Sequence, residues 1–424
     1  MKKNKLLQFD LDLYSETLDN GLRINIVPKK NSNNIYVTFS TNYGSIHDEF
    51  IPIDSNEYYK VPMGVAHFLE HKVFEQKDGR DPFEIFSESG ADSNANTSNY
   101  KTTYLFSGPS NFEKNINFLL DFVQTPYFTD ENVEKEKGII SQEIKMLNDR
   151  PYWHLYERIV HNCFKKHPIK YPVGGTIQTI KKITCDDLYK CYNTFYHPSN
   201  MFITITGNVE PNKCIKIIKE NQSKKKFRKF KDIEIKHVEE PDMVALDYEE
   251  SNFDVSLPKV AHAYKLNIKD YDINRLRLYL NLYFSILTDT TSLLDEELKD
   301  NHIISSDLEF EVVNTDKHLL YIVNFESNKY DKVLRRLDEI IGKKLITEEE
   351  LNRKKKSIKS SFIYRSDNIY AINSKINNDI IRYNKVILDD FSIIESLNIE
   401  EFNNIIKNID FSNISTLVLK NKEK

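Results

Sequence analysis

The chain has 424 residues, 40% of them hydrophobic and 12% aromatic, which is enough to bury sizeable cores and excludes wholesale disorder. Its net charge of −5, with both signs mixed along the chain, excludes nucleic acid as the main partner, because that role asks for a basic excess. No apolar run approaches the ~18 residues that span a bilayer, and Asp10 and Asp12 interrupt the lysine-rich start before a signal-peptide core can form, so a cytoplasmic protein is expected.

The first predicted element is a hairpin in LDNGLRINIVP, two β-prone runs around Asn20-Gly21. NIYVTFSTN (34–42) and KTTYLFSG (101–108) alternate as strands do. Helical patterns cover 60–77, 79–89, 111–124, 129–148 and 151–164, and Trp153 in the last of these is expected to anchor a core. PVGGT (172–176) reads as a tight turn, since it lacks both a GxGxxG pattern and the lysine of a phosphate loop. Cys163, Cys185, Cys191 and Cys214 show no CxxC spacing and are expected to be free thiols in a reducing compartment. MFITITGNVEP (201–211) closes the first half, and the charged stretch that follows, with KKKFRKFK at 224–231, reads as a solvated linker.

The pattern then returns. Residues 104–144 and 321–362 each read as a strand, a helix, a threonine cap and a second long helix. Thr129 and Thr347 stand at the caps, and Thr347 with Glu350 makes a capping box. Two copies of one α+β unit are expected, each a mainly antiparallel sheet with helices on one face: residues 1–225, a linker at 226–240, and residues 241–424.

Chemistry concentrates in the first copy. In GVAHFLEHKVFEQ, His67 and His71 are i and i+4, hence one turn apart on one helix face, where two imidazoles can converge on a metal. Glu70 projects beside them, placed to take a proton rather than to ligate, in the reverse order of HExxH. The pentapeptide alone leaves open a plain polar helix face. In the helix at 129–148, Glu136 and Glu143 fall inside the stripe Val133, Ile140, Ile144 and Leu147, where a carboxylate is costly unless a cation compensates it. The second copy keeps the apolar positions but carries Lys354 and Ser361 at those two places.

HFLEH, with a glutamate 72 residues after its second histidine, resembles the pitrilysin and insulinase family of zinc peptidases, which includes the mitochondrial processing peptidases. SGADSNANTSNYKTTYLFSG (89–108) and YPVGG…NVEP (171–211) extend the likeness, which is nearest to short bacterial members of the YmfH group. The resemblance implies a half-size peptidase of two homologous domains, whose halves pair around a chamber. It implies one zinc ion per chain on His67, His71 and Glu143, with Glu70 as the base that activates the zinc-bound water and Glu136 supporting the ligands. It also places peptide substrate along the strand at Asn94 and Ala95 by β-augmentation, with a simple turn residue as the other reading of Asn94.

The likeness fails at one point. Members that act alone carry an Arg and a Tyr seven apart in the second domain, and here those places hold Lys299 and Ser306. Lysine keeps the charge but loses the bidentate fork, so only a weak substrate contact is expected from Lys299. The implied partner is a metal-less relative that supplies the Arg/Tyr pair in a heterodimer, with a homodimer as the alternative. Three functions follow as expectations: a zinc endopeptidase acting on short unfolded peptides, a non-catalytic peptide-binding or scaffolding subunit, and a maturation peptidase for one small secreted peptide.

Overall fold

A computed structural model describes residues 1–268 and 271–421. The first half runs β1 (Lys2–Leu6), β2 (Leu11–Thr17), β3 (Arg23–Pro28) and β4 (Ile35–Thr41), then a short hairpin of β5 (Glu49–Phe50) and β6 (Tyr59–Lys60). It continues α1 (Val65–Val73), α2 (Pro82–Glu88), β7 (Asp92–Thr97), β8 (Thr102–Gly108), α3 (Phe112–Val123), α4 (Asp130–Asn148) and α5 (Pro151–Cys163). α6 (Ile177–Ile180), α7 (Cys185–Phe195), β9 (Met201–Gly207) and α8 (Pro211–Ser223) complete it. The second half holds β10 (Tyr248–Asn252), β11 (Lys259–Asn267), α9 (Ile273–Thr288), α10 (Leu293–Asp300), β12 (Glu309–Asn314) and β13 (His318–Glu326). After these come α11 (Tyr330–Ile340), α12 (Glu348–Arg365), α13 (Ile369–Tyr383), α14 (Asp390–Glu395), α15 (Ile399–Asn408) and β14 (Ile414–Lys420).

Two compact units result, and neither is one continuous segment. The first comprises Met1–Ile144, Pro172–His237 and Lys359–Phe391; the second comprises Lys145–Tyr171, Val238–Ile358 and Ser392–Lys424. The charged stretch at 226–240 straddles a boundary, and each half of the chain contributes a helix, α5 or α13, to the other unit.

The first unit is built on a seven-stranded sheet in the order β1-β2-β3-β9-β4-β8-β7, antiparallel except where β3 and β9 run parallel. Asn20-Gly21 sits in the β2–β3 turn, where Gly21 takes φ +87° and Leu18 donates its amide to the Leu22 carbonyl at 2.9 Å. Val37, Phe39, Ile203 and Ile205 point into the core, against which α1, α3 and α8 pack. The alternate residues Thr38, Thr204 and Thr206 point to the opposite face, as the two-residue period of a strand requires. There α13 covers them, adding to the main helical layer. Its Asn373 and Asn377 satisfy the threonines: Thr38 Oγ1 donates to Asn373 Oδ1 at 2.8 Å, and Thr204 Oγ1 donates to Asn377 Oδ1 at 2.6 Å.

The second unit carries a five-stranded sheet, β10-β14-β11-β13-β12. α5 packs on β11 and β14 through Leu155, Ile159 and Cys163, and Arg158 grips Glu249 with two nitrogens at 2.8 and 2.9 Å. Trp153 is not the core anchor that was expected. It lies off this i, i+4 stripe and is 38% exposed. The repeated strand–helix–capped-helix order holds, as β8–α3–α4 in one copy and β13–α11–α12 in the other. The Thr347–Glu350 capping box forms, with backbone-to-side-chain bonds of 3.2 and 2.9 Å. All four cysteines are free, and burial pushes the thiols of Cys163, Cys191 and Cys214 up to about 12.

Candidate metal centre

Helix α1 is shorter than its apolar pattern because the chain turns sharply at Gly64, where φ is +93°. A Cβ on Gly64 would lie 2.5 Å from the Gly174 carbonyl oxygen, and one on Gly175 would lie 2.5 Å from that of Met63. The two glycine turns interlock, and they seat the start of α1 against the 172–176 loop. Ala66, Phe68, Leu69 and Val73 then anchor the helix in the core. Helix α4 starts from a reciprocal cap, in which Asn132 N donates to Thr129 Oγ1 at 3.2 Å and Thr129 N donates to Asn132 Oδ1 at 3.0 Å. Val133, Ile140 and Ile144 are buried, Glu136 and Glu143 sit half-buried among them, and Glu131 and Glu134 face solvent.

The two helices bring His67, His71 and Glu143 together, with one ligand atom from each lying within 4.8 Å of the others. Among the described residues no other group of His, Cys, Asp or Glu does so. His67 Nε2 stands 3.7 Å from Glu143 Oε1, and His71 Nε2 stands 3.6 Å from Glu143 Oε2. Both contacts are too long for a hydrogen bond. They are close to the separation of about 3.4 Å between two atoms that share a tetrahedral ion at ~2.0–2.1 Å. The donor set therefore fits a zinc ion, with two imidazoles and one carboxylate leaving a fourth position free.

The surroundings agree. His71 Nδ1 lies 3.1 Å from Glu136 Oε1, so a proton held there leaves Nε2 as a lone pair facing Glu143. Burial lowers the His71 pKa, but the bond to Glu136 and its charge outweigh burial and raise it. Glu136 is pushed up by burial and brought below the ordinary carboxylate range by His71. Burial, reinforced by His71, pushes His67 down to about 4, which keeps its ring a neutral donor. Its Nδ1 is buried without a partner among the described residues, beside the bare Cα of Gly174. Glu70 is pushed up, chiefly by burial and also by the charge of Glu143, against the opposing pull of the Thr97 hydroxyl and His71. Three carboxylates thus crowd two imidazoles, a charge pattern that a divalent cation relieves.

Asn94 and Ala95 lie on β7, an edge of the seven-stranded sheet. The Ala95 amide is covered by Asn94 Oδ1 at 2.8 Å, which caps one donor of the open edge. Lys299 is on α10 in the second unit, where its ammonium pairs with Asp295 at 2.7 Å and with Asp307. Two residues escaped the sequence reading. Thr97 donates its hydroxyl to Glu70 Oε2 at 2.5 Å, and the fully buried Lys72 reaches Glu75, the Asn132 carbonyl at 3.2 Å and Glu136 at 3.8 Å. Neither carries a spacing signal: a strand threonine and a helical lysine both read as surface.

Residues 55–177 match the family described as Insulinase (Peptidase family M16), and residues 182–358 match the Peptidase M16 inactive domain. The uncharacterized zinc protease YmfH of Bacillus subtilis (strain 168) is 37% identical over 413 residues, which cover 94% of each chain. The chain belongs to the M16 peptidase family. A solved putative M16-like peptidase from Alicyclobacillus acidocaldarius superposes on this M16 chain with a TM-score of 0.92 at 28% identity, covering 97% of this chain and 99% of that one. A protease from Helicobacter pylori shares the fold, with a TM-score of 0.82 at 22% identity over 96% and 99% of the two chains. The metal-competent group lies wholly within the stretch 55–177 and outside the inactive-domain match at 182–358. No helix among the described residues is long and apolar enough to cross a membrane.

Proposed function

We propose that this M16 chain is a zinc-dependent endopeptidase that hydrolyses short unfolded peptides. The observation that carries this reading is the convergence of His67, His71 and Glu143, with Glu70 held beside them. Those three side chains would hold the ion, one per chain. When bound, zinc lowers the pKa of a coordinated water from 15.7 toward about 7 and polarises a carbonyl. Glu70 takes the proton of the attacking water and delivers it to the leaving amine. Its burial, which raises its affinity for a proton, suits a group that must hold one between those steps. Glu136 keeps the His71 ring oriented.

Substrate docks as an added strand on β7, one of its carbonyls replacing the Asn94 Oδ1 that now accepts from the Ala95 N–H. Such main-chain pairing tolerates varied sequences. The second-domain substrate contacts come from a partner, a metal-less relative with an Arg/Tyr pair, because Lys299 is committed to two aspartates and the Ser306 hydroxyl is buried. A homodimer is the alternative assembly, and a reducing compartment suits the four free thiols.

The test is Glu70→Gln, assayed with a quenched peptide library on protein carrying one zinc per chain. Hydrolysis is expected to fall by roughly 10²–10⁴-fold with zinc content unchanged. A cellular phenotype unchanged by the substitution would favour a scaffolding subunit instead, and undiminished hydrolysis would remove Glu70 as the base.

A further inference from the structure

Thr97 ends β7, and its side chain shares a face with Ser93 and Ala95, the half-buried positions of a strand that packs against α1. Its register partner on β8 is Thr102. Thr102 Oγ1 donates to the Tyr43 carbonyl at 2.9 Å, so toward Thr97, 3.3 Å away, it presents only a lone pair. The single proton of Thr97 thus has two acceptors, a neutral hydroxyl at 3.3 Å and a carboxylate oxygen, Glu70 Oε2, at 2.5 Å. The charged, nearer acceptor takes it. Among the described residues Glu70 Oε1 receives no hydrogen bond, and the residue keeps 7% of its surface exposed.

We propose that Thr97 is a positioning residue that decides which oxygen of Glu70 handles the proton, an inference that rests on the peptidase reading. A proton on Oε2 would force Thr97 to turn its own proton to the weak acceptor Thr102. A proton on Oε1 leaves the short Thr97 bond intact. Oε1 is therefore the oxygen that receives the proton of water and later releases it to the amine, and the carboxylate need not rotate between the two transfers. The arrangement behind it, with the Thr102 proton held by the Tyr43 carbonyl and the Thr97 proton left for Glu70, is built into the sheet and so is in place before substrate arrives.

The experiment is a double-mutant cycle on zinc-loaded protein with Thr97→Val, Thr97→Ser and Glu70→Gln. Thr97→Val is expected to lower kcat about 10–100-fold, with KM and zinc per chain unchanged. Thr97→Ser, which keeps the hydroxyl, is expected to stay within a few-fold of the parent. On a Glu70→Gln background, Thr97→Val is expected to cost nothing further. Where the valine variant does not fold, Thr97→Ala takes its place, removing the hydroxyl without adding volume. Full kcat in Thr97→Val, failure of serine to rescue, or a penalty that persists without Glu70 would each overturn the assignment while leaving the peptidase reading intact. Equal hydrolysis by the parent and Glu70→Gln would overturn both the assignment and the role of Glu70 as the base.

Discussion

Glu240, in the second unit, shows how much one side chain can organise. Its carboxylate accepts the amides of Lys165, Lys166 and His167 at 2.7–2.8 Å and the ammonium of Lys265 at 2.7 Å. Burial pushes its pKa up, but Lys265 and the three amides outweigh burial and hold it at about 2. A carboxyl whose folded pKa lies below its ordinary 4.5 binds protons more weakly when folded. Its contribution is therefore complete above about pH 4.5 and is lost as pH falls toward 2. Burial lowers Lys265, and Glu240 is its main support. Glu240→Gln is expected to cost about 3 kcal/mol at pH 7, because it leaves a buried ammonium without its partner. Urea unfolding of the variant should also lose part of the parent's pH dependence between 4.5 and 2. At this scale the group that could hold a metal was legible, since His67 and His71 are one helical turn apart and Glu143 lies with Glu136 on the period of α4. Thr97 and Glu240 were not, because their partners are set by sheet register and by loops far away in sequence.

At the scale of elements, α1 is positioned as much by glycines as by its apolar face. Gly64→Ala adds left-handed strain and drives a Cβ into the Gly174 carbonyl, a backbone atom that cannot step aside. Its cost is expected to be about 2–3 kcal/mol in denaturant unfolding, with zinc per chain reduced as the histidines shift. Gly79→Ala is the control: φ is +72° there, but nothing lies within 4 Å of the added carbon, so only the strain remains. Strands β4 and β8 and the long helices α3, α4 and α5 were readable from their periodicity within a residue or two, while β1, β11, β12 and β14 were not foreseen. The threonine face of β4 and β9 was not, because strict apolar/polar alternation looks the same whether the polar side meets water or α13. Asn373 and Asn377 supply what water would otherwise supply.

At the scale of the whole molecule, the two halves of the chain cannot be treated as separable modules. Residues 1–225 contain every strand of the first sheet but lack α13, whose Ile369, Ile372, Ile376 and Ile380 are buried. That fragment alone is expected to run as aggregate in size-exclusion chromatography and to lose cooperative thermal unfolding. Residues 1–144 and 172–237, joined by a short linker and supplied with 359–391 on a flexible tether, should instead run as a discrete species and unfold cooperatively. The duplication was visible in the sequence, while the exchange of helices was not, since α5 and α13 each follow their own half without any break in pattern.

That exchange also sets a clock on biosynthesis. The last strand of the first sheet, β9, is complete at Gly207, yet the helix that roofs its threonine side is not finished until Tyr383 has been translated. At about 5–20 residues per second, the ribosome takes roughly 10–35 s to cover the interval. Throughout that time the nascent sheet is open on one side, exposed to chaperones and to neighbouring chains, and its maturation waits on the far end of its own message.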